Sequence, residues 1–125
     1  MNLMGVLFIA AGATLGALTR HGLTYAFNGE RLPWGTLLAN LLGGYLIGII
    51  LALFSRWPTV SLEIRLGVIT GFLGALTTFS TFSAEVVGFL GSRDYRWGIA
   101  FILFHVGGSL MATLLGVWSF RLFVR

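Results

Sequence analysis

Leu66-Gly67-Val68-Ile69-Thr70-Gly71-Phe72-Leu73-Gly74-Ala75-Leu76-Thr77-Thr78-Phe79-Ser80-Thr81-Phe82-Ser83-Ala84 contains no charged side chain and is bounded by Arg65 and Glu85. A helix that crosses the bilayer core needs about 20 mostly apolar residues, and this stretch supplies them. Three more uncharged runs flank it: Leu3 to Thr19 before Arg20, Pro33 to Ser55 before Arg56, and Trp97 to Phe120 before Arg121. Together they occupy most of the 125 residues, of which 57% are hydrophobic and 10% charged. A soluble domain carries about 25% charged residues. The chain therefore reads as an all-α membrane protein with four transmembrane helices. Helix ends extend past the first charge, so the expected spans are 3–27, 33–55, 62–90 and 96–121, in a single transmembrane domain over 1–125. Barrel strands are excluded, because they alternate apolar and polar residues over about ten positions.

The remaining composition narrows the function. All eight basic residues are arginines, giving a net charge of +4, and they stand singly between apolar runs rather than in a cluster. No nucleic-acid partner is expected. Without cysteine there is no disulfide, thiolate metal site or cysteine nucleophile. No phosphate-binding glycine loop, HExxH motif or nucleophile elbow occurs, so the chain is not expected to be an enzyme. The first run has no basic residue ahead of it and three spans follow, so it is expected to be retained rather than cleaved as a leader.

Pro33 suits the first turn of the second helix, and Trp34, Trp57, Trp97 and Trp118 fall near span ends, where indoles favour the membrane interface. Orientation depends on arginine asymmetry. Arg56, Arg65, Arg121 and Arg125 fall on one side and Arg20, Arg31, Arg93 and Arg96 on the other. The balance is even, so the chain has no charge preference for one orientation, and two inverted copies are free to pair.

Small residues recur four apart in every span: Gly12 and Gly16, Gly44 and Gly48, Gly67 and Gly71, and Gly108, Ala112 and Gly116. In lipid this spacing marks close helix contacts. Asn40 shares a helical face with Gly43, Gly44, Ile47 and Gly48. It reads either as an interhelical hydrogen bond or as an uncharged pore donor. The third span holds five hydroxyl residues in positions 77–83 after two glycines, which suits a continuous lipid-facing helix poorly. A break near its middle is expected, since irregular backbone at membrane depth survives where it is buried or faces water. The competing reading is that the hydroxyls bond back to their own helix and only bend it. Phe79 and Phe82, three apart, are either packing residues or rings offering an electropositive edge to an anion. Glu85 reads as a pore-mouth or proton-linked carboxylate, or as a solvated helix end. Ser109 extends a polar track in the fourth span. His105 on the same face reads as hydrogen-bonded core or as a ligand, with no second His, Asp or Glu placed to complete a zinc or catalytic set; His21 reads as interfacial, and Arg20 as a snorkelling side chain or a vestibule charge.

Taken together, Gly-Ala-Thr-Leu-Gly-Ala with Arg20, Trp34-Gly35-Thr36-Leu37 leading to Asn40 and Gly43-Gly44, and Gly71-Phe72-Leu73-Gly74 through Thr77-Thr78-Phe79-Ser80-Thr81-Phe82-Ser83 and Glu85 resemble the Fluc (CrcB) family of fluoride ion channels. The match runs over essentially the whole chain, and the third-span string is its most specific part. The resemblance implies a fluoride-selective channel that passively exports fluoride from the cytoplasm and relieves its toxicity. It implies an antiparallel dual-topology homodimer with two pores, embedded in the lipid of a prokaryotic inner membrane. It further implies a structural Na+ at the dimer centre, held by the backbone carbonyls of Gly74 and Thr77. Asn40, Phe79 and Phe82 correspond to its pore residues, and Ser80, Thr81, Ser83 and Ser109 to its polar track; Glu85 joins them as a pore candidate and Arg20 as a vestibule candidate on the reading of their positions above. Where some members have a tyrosine and a serine in the fourth helix, this chain has Phe101 and His105. The alternative is a proton-coupled small multidrug exporter using Glu85, although that family carries its essential glutamate in the first helix, where this chain has none.

Overall fold

The first helix starts on a side-chain cap: Asn2 accepts a hydrogen bond from the Gly5 N–H at 2.8 Å, satisfying one of the donors that every helix N-terminus leaves open. The computed structural model describes residues 2–124, so Arg125, counted in the charge balance above, lies outside the described residues. Helix α1 is Leu3–Phe27 and α2 is Trp34–Arg56. The third span is composite. It begins as α3 (Leu62–Arg65), widens into a π-helical segment over Leu66–Leu73, and returns to α-helix in α4 (Gly74–Leu76). Past Thr77 and Thr78 it continues as α5 (Phe79–Gly91), and α6 (Tyr95–Phe123) completes the bundle. Four helical stretches, Leu3–Phe27, Trp34–Arg56, Leu62–Gly91 and Tyr95–Phe123, are long and apolar enough to cross a membrane. The chain is a multi-pass integral membrane protein.

Pro33 is one residue earlier than expected. It occupies the N-cap of α2 rather than its first turn, with φ −84° and ψ 64°. The N-terminus of α2 is instead capped from the first loop, where Asn28 Oδ1 accepts from the N–H groups of Gly35 (2.8 Å) and Thr36 (3.3 Å). At the far end of the third span, the Arg93 N–H bonds the Leu90 carbonyl and the Asp94 N–H the Phe89 carbonyl. This is the Schellman closure, and it holds Arg93 at φ 60°. Arg31 joins the first loop to the third through Asp94 at 2.9 Å. On the opposite side, Asn2 donates to Glu63 at 3.2 Å, and Arg65 clamps the second loop by donating to the Val60 and Pro58 carbonyls, both at 3.1 Å.

The small residues do the packing. A Cβ on Gly12 or Gly16 would run into the carbonyl oxygens of Gly67 and Phe72, and one on Gly48 or Gly116 into those of Thr113 and Tyr45. Thus α1 lies directly on the third span, and α2 directly on α6. Two small cores result, one around Ala39, Leu73 and Leu76, the other around Phe82, Val86, Phe89 and Phe101. Even so, no span has more than 33% of its apolar window buried within the chain. The outward faces of the spans are left open within one chain.

Candidate functional site

Thr77 and Thr78 leave the helical conformation in mid-span, with φ/ψ of −86°/153° and −150°/112°, and the axis of the third span bends by 14°. Extended backbone at that depth must find partners from elsewhere. For Thr78 they come from one side chain. Asn40 Oδ1 accepts the Thr78 N–H at 2.7 Å, and Asn40 Nδ2 donates to the Thr78 carbonyl at 3.1 Å. The remaining Asn40 N–H goes to His105 Nδ1 at 2.9 Å. The Thr78 hydroxyl caps α5 by accepting from the Thr81 N–H at 3.1 Å, and lies 3.0 Å from Thr81 Oγ1 and 3.3 Å from Ser80 Oγ.

These bonds have a consequence for two carbonyls. In a continuous helix the Thr78 N–H would bond the Gly74 carbonyl and the Thr81 N–H the Thr77 carbonyl. Both donors are committed to side chains instead, to Asn40 Oδ1 and Thr78 Oγ1. No group of His, Asp or Glu placed to hold a metal occurs among the described residues.

A cavity of about 530 Å³ opens beside the junction, and Asn40, Gly74, Thr77, Phe79, Phe82 and Ser109 all border it, with His105. The rings of Phe79 and Phe82 meet edge to face at 5.3 Å, yet their surroundings differ: Phe82 is buried and Phe79 is 76% exposed. Phe82 stacks on the His105 imidazole at 4.5 Å. Ser80 and Thr81 are exposed near the start of α5. The Ser83 hydroxyl donates back to the Phe79 carbonyl at 2.9 Å, and that of Thr77 to the Leu73 carbonyl at 2.9 Å. At these two positions the hydroxyls bond back to their own chain. Arg20 is half-buried in α1 and has no ion-pair partner among the described residues.

Glu85 does not lie at a helix end, because α5 continues to Gly91. Its Oε1 accepts a hydrogen bond from the Thr36 hydroxyl at 2.6 Å. Its Oε2 is buried without a hydrogen-bond partner among the described residues. It borders a different cavity, of about 580 Å³, together with Pro33, Gly88 and Asp94. Thr36 itself is fully buried and was not singled out from the sequence. In the sequence it stands only as part of the Trp34–Leu37 string, one turn before Asn40, with no role of its own. The double role of the Thr78 backbone was also missed, since nothing local marks which carbonyl a distant amide will meet.

Comparison with known proteins agrees with this architecture. The family model described as "CrcB-like protein, Camphor Resistance (CrcB)" matches residues 7–117. The chain is 55% identical over 119 residues to a protein of Albidiferax ferrireducens, covering 94% of this chain and 92% of that one. It is 50% identical over 125 residues to one of Ralstonia pickettii, with 98% and 99% covered. A third relative, from Cupriavidus metallidurans, is 47% identical over 123 residues, with 97% and 98% covered. All three relatives bear the name "Fluoride-specific ion channel FluC". On a family match over most of its length and relatives similar from end to end, this chain belongs to the CrcB family.

Proposed function

We propose that this protein is a fluoride-selective ion channel and not an enzyme, passively exporting fluoride across a prokaryotic inner membrane and so relieving its toxicity. The observation that carries the reading is the end-to-end similarity to relatives named as fluoride-specific channels. The geometry agrees with it chemically. Fluoride is small and strongly hydrated, so its path must replace water with donors while holding the ion weakly enough to release it. Ser109 and the rings of Phe79 and Phe82, whose edges are electropositive, border one cavity with Asn40, without a full positive charge among them, while both Asn40 N–H groups are given to the Thr78 carbonyl and His105 Nδ1. The hydroxyls of Ser80, Thr81 and Ser83 continue the track on α5, Glu85 borders a separate cavity at the same helix, and Arg20 attracts anions at the vestibule. Export needs no coupled energy source. A negative-inside potential is worth about 2.3 kcal/mol per charge per 100 mV and drives an anion outward.

The working unit is an antiparallel homodimer with two pores, in keeping with the even arginine count and with the outward faces left open in one copy. The Gly74 and Thr77 carbonyls, deprived of their helical donors, suit a hard cation such as Na+ held at the dimer centre, as freed carbonyls of broken membrane helices do elsewhere. Bound there, such an ion would supply a fixed positive charge.

Liposomes containing only the purified protein, loaded with fluoride or with chloride, test the function. Fast fluoride release beside a silent chloride control is expected. Absence of release from vesicles that hold folded protein rejects the channel, and release that follows the ionisation of Glu85 favours a proton-coupled exporter.

A further inference from the structure

His105 is 4% exposed, and its Nε2 is buried without a hydrogen-bond partner among the described residues. Its other ring nitrogen is fully specified. The Thr78 backbone offers an N–H and a carbonyl to the same amide, which fixes the orientation of Asn40: a flip would set Nδ2 against an N–H and Oδ1 against a carbonyl. Asn40 therefore presents an N–H to His105 Nδ1 at 2.9 Å. An amide nitrogen only donates, so Nδ1 must accept, and a neutral ring then carries its proton on Nε2. A doubly protonated ring would oppose N–H to N–H. The outcome is a neutral imidazole whose one N–H is buried and has no acceptor among the described residues, an arrangement that proteins rarely leave unanswered. The ring is held between Phe82 at 4.5 Å and Phe101 at 5.8 Å, and it borders the same cavity as Asn40 and Ser109.

We propose that His105 is an anion-binding residue of this channel, locked by Asn40 and the Thr78 backbone into the tautomer whose Nε2–H donates to the passing ion. The proposal rests on the fluoride reading above. A neutral, directional donor favours the anion that accepts hydrogen bonds most strongly, which distinguishes fluoride from chloride, and it avoids the deep well that a cationic side chain would create.

Nitrogen-15 NMR of the purified full-length protein, with His21 and His105 told apart by the spectrum of His105→Gln, reads the tautomer directly. The expected result is an unprotonated Nδ1 and a protonated Nε2, with the Nε2 proton shifting when fluoride is added and staying in place with the same concentration of chloride. In liposomes, His105→Asn keeps an acceptor for Asn40 but cannot reach the position of Nε2. It should slow fluoride release about tenfold or more, the equivalent of one lost hydrogen bond. His105→Gln, whose amide reaches further, should recover part of that loss. A proton on Nδ1, or a fluoride-insensitive Nε2 with His105→Asn as fast as the wild type, overturns the proposal while leaving the channel intact. A wild-type protein that releases no fluoride overturns both.

Discussion

Asn40 bonds to the Thr78 N–H, the Thr78 carbonyl and His105 Nδ1, and this makes two substitutions informative. Asn40→Asp places an acceptor where the Thr78 carbonyl and His105 Nδ1 are both acceptors. It should abolish fluoride release and lower stability, the charge-to-dipole conflict adding to the roughly 1–3 kcal/mol of each unsatisfied buried group. Unfolding in detergent and vesicle flux, measured on the same preparation, check both. Phe82→Ile removes the stacking partner of His105 and one of the two paired rings. Reduced fluoride release with the folded protein intact is expected, and unchanged flux in both variants would remove these residues from the pore. Thr36→Val deletes the sole side-chain hydrogen-bond donor to Glu85 among the described residues. It should destabilise the protein by about 1–3 kcal/mol, because a buried carboxyl is left without a partner. Of this site, the residue types were visible in the sequence but their partners were not: Asn40 lies 38 positions from Thr78 and 65 from His105, and Glu85 lies 49 from Thr36.

Between helices, the glycines divide into those that touch a neighbour and those that do not. Gly48→Ala drives a Cβ into the Thr113 carbonyl, part of a rigid backbone, so it should cost about 1–3 kcal/mol as overpacking. Gly88→Ala in α5 meets nothing within 4 Å, and should be neutral or gain up to about 1 kcal/mol through better helix propensity. Denaturant titration of the two side by side separates contact from propensity. At the end of α5, Arg93 holds a left-handed conformation that glycine adopts freely. Arg93→Gly should stabilise the protein by about 1 kcal/mol, read as a higher unfolding midpoint. The four-residue spacing of small residues announced these contacts in the sequence. Which glycine meets which carbonyl depended on the helices' rotation, which hydropathy does not encode.

Across the membrane, the arrangement of loops frames the dual-topology proposal. The first and third loops are tied by Arg31–Asp94, and the N-terminus meets the start of α3 on the other side, so each face of one copy is defined by its own contacts. The chain has no cysteine, so a single cysteine introduced at Gly29 or at Thr59 is a unique label on one face or the other. With arginines evenly split, insertion should be indifferent to orientation. An impermeant thiol reagent added outside intact cells should label about half of the molecules in each variant. Labelling of one variant alone would show a single orientation and exclude an antiparallel pair.

The number of spans, the helical class and the faces of close approach were all legible in the amino-acid order. Each is a local sum or a short-range periodicity: hydropathy over about 20 residues, and small side chains every fourth position. The polar string at 77–83 could likewise be seen to sit badly in an unbroken helix. Only the tertiary structure decided what answers the extended backbone at Thr77 and Thr78, that Phe82 is buried while Phe79 faces outward, and that Thr36 pairs with Glu85. Hydrogen bonds at membrane depth have no water to fall back on. Their partners are therefore set by the relative rotation and depth of whole helices, a property that belongs to the packed bundle and to no single stretch of the chain.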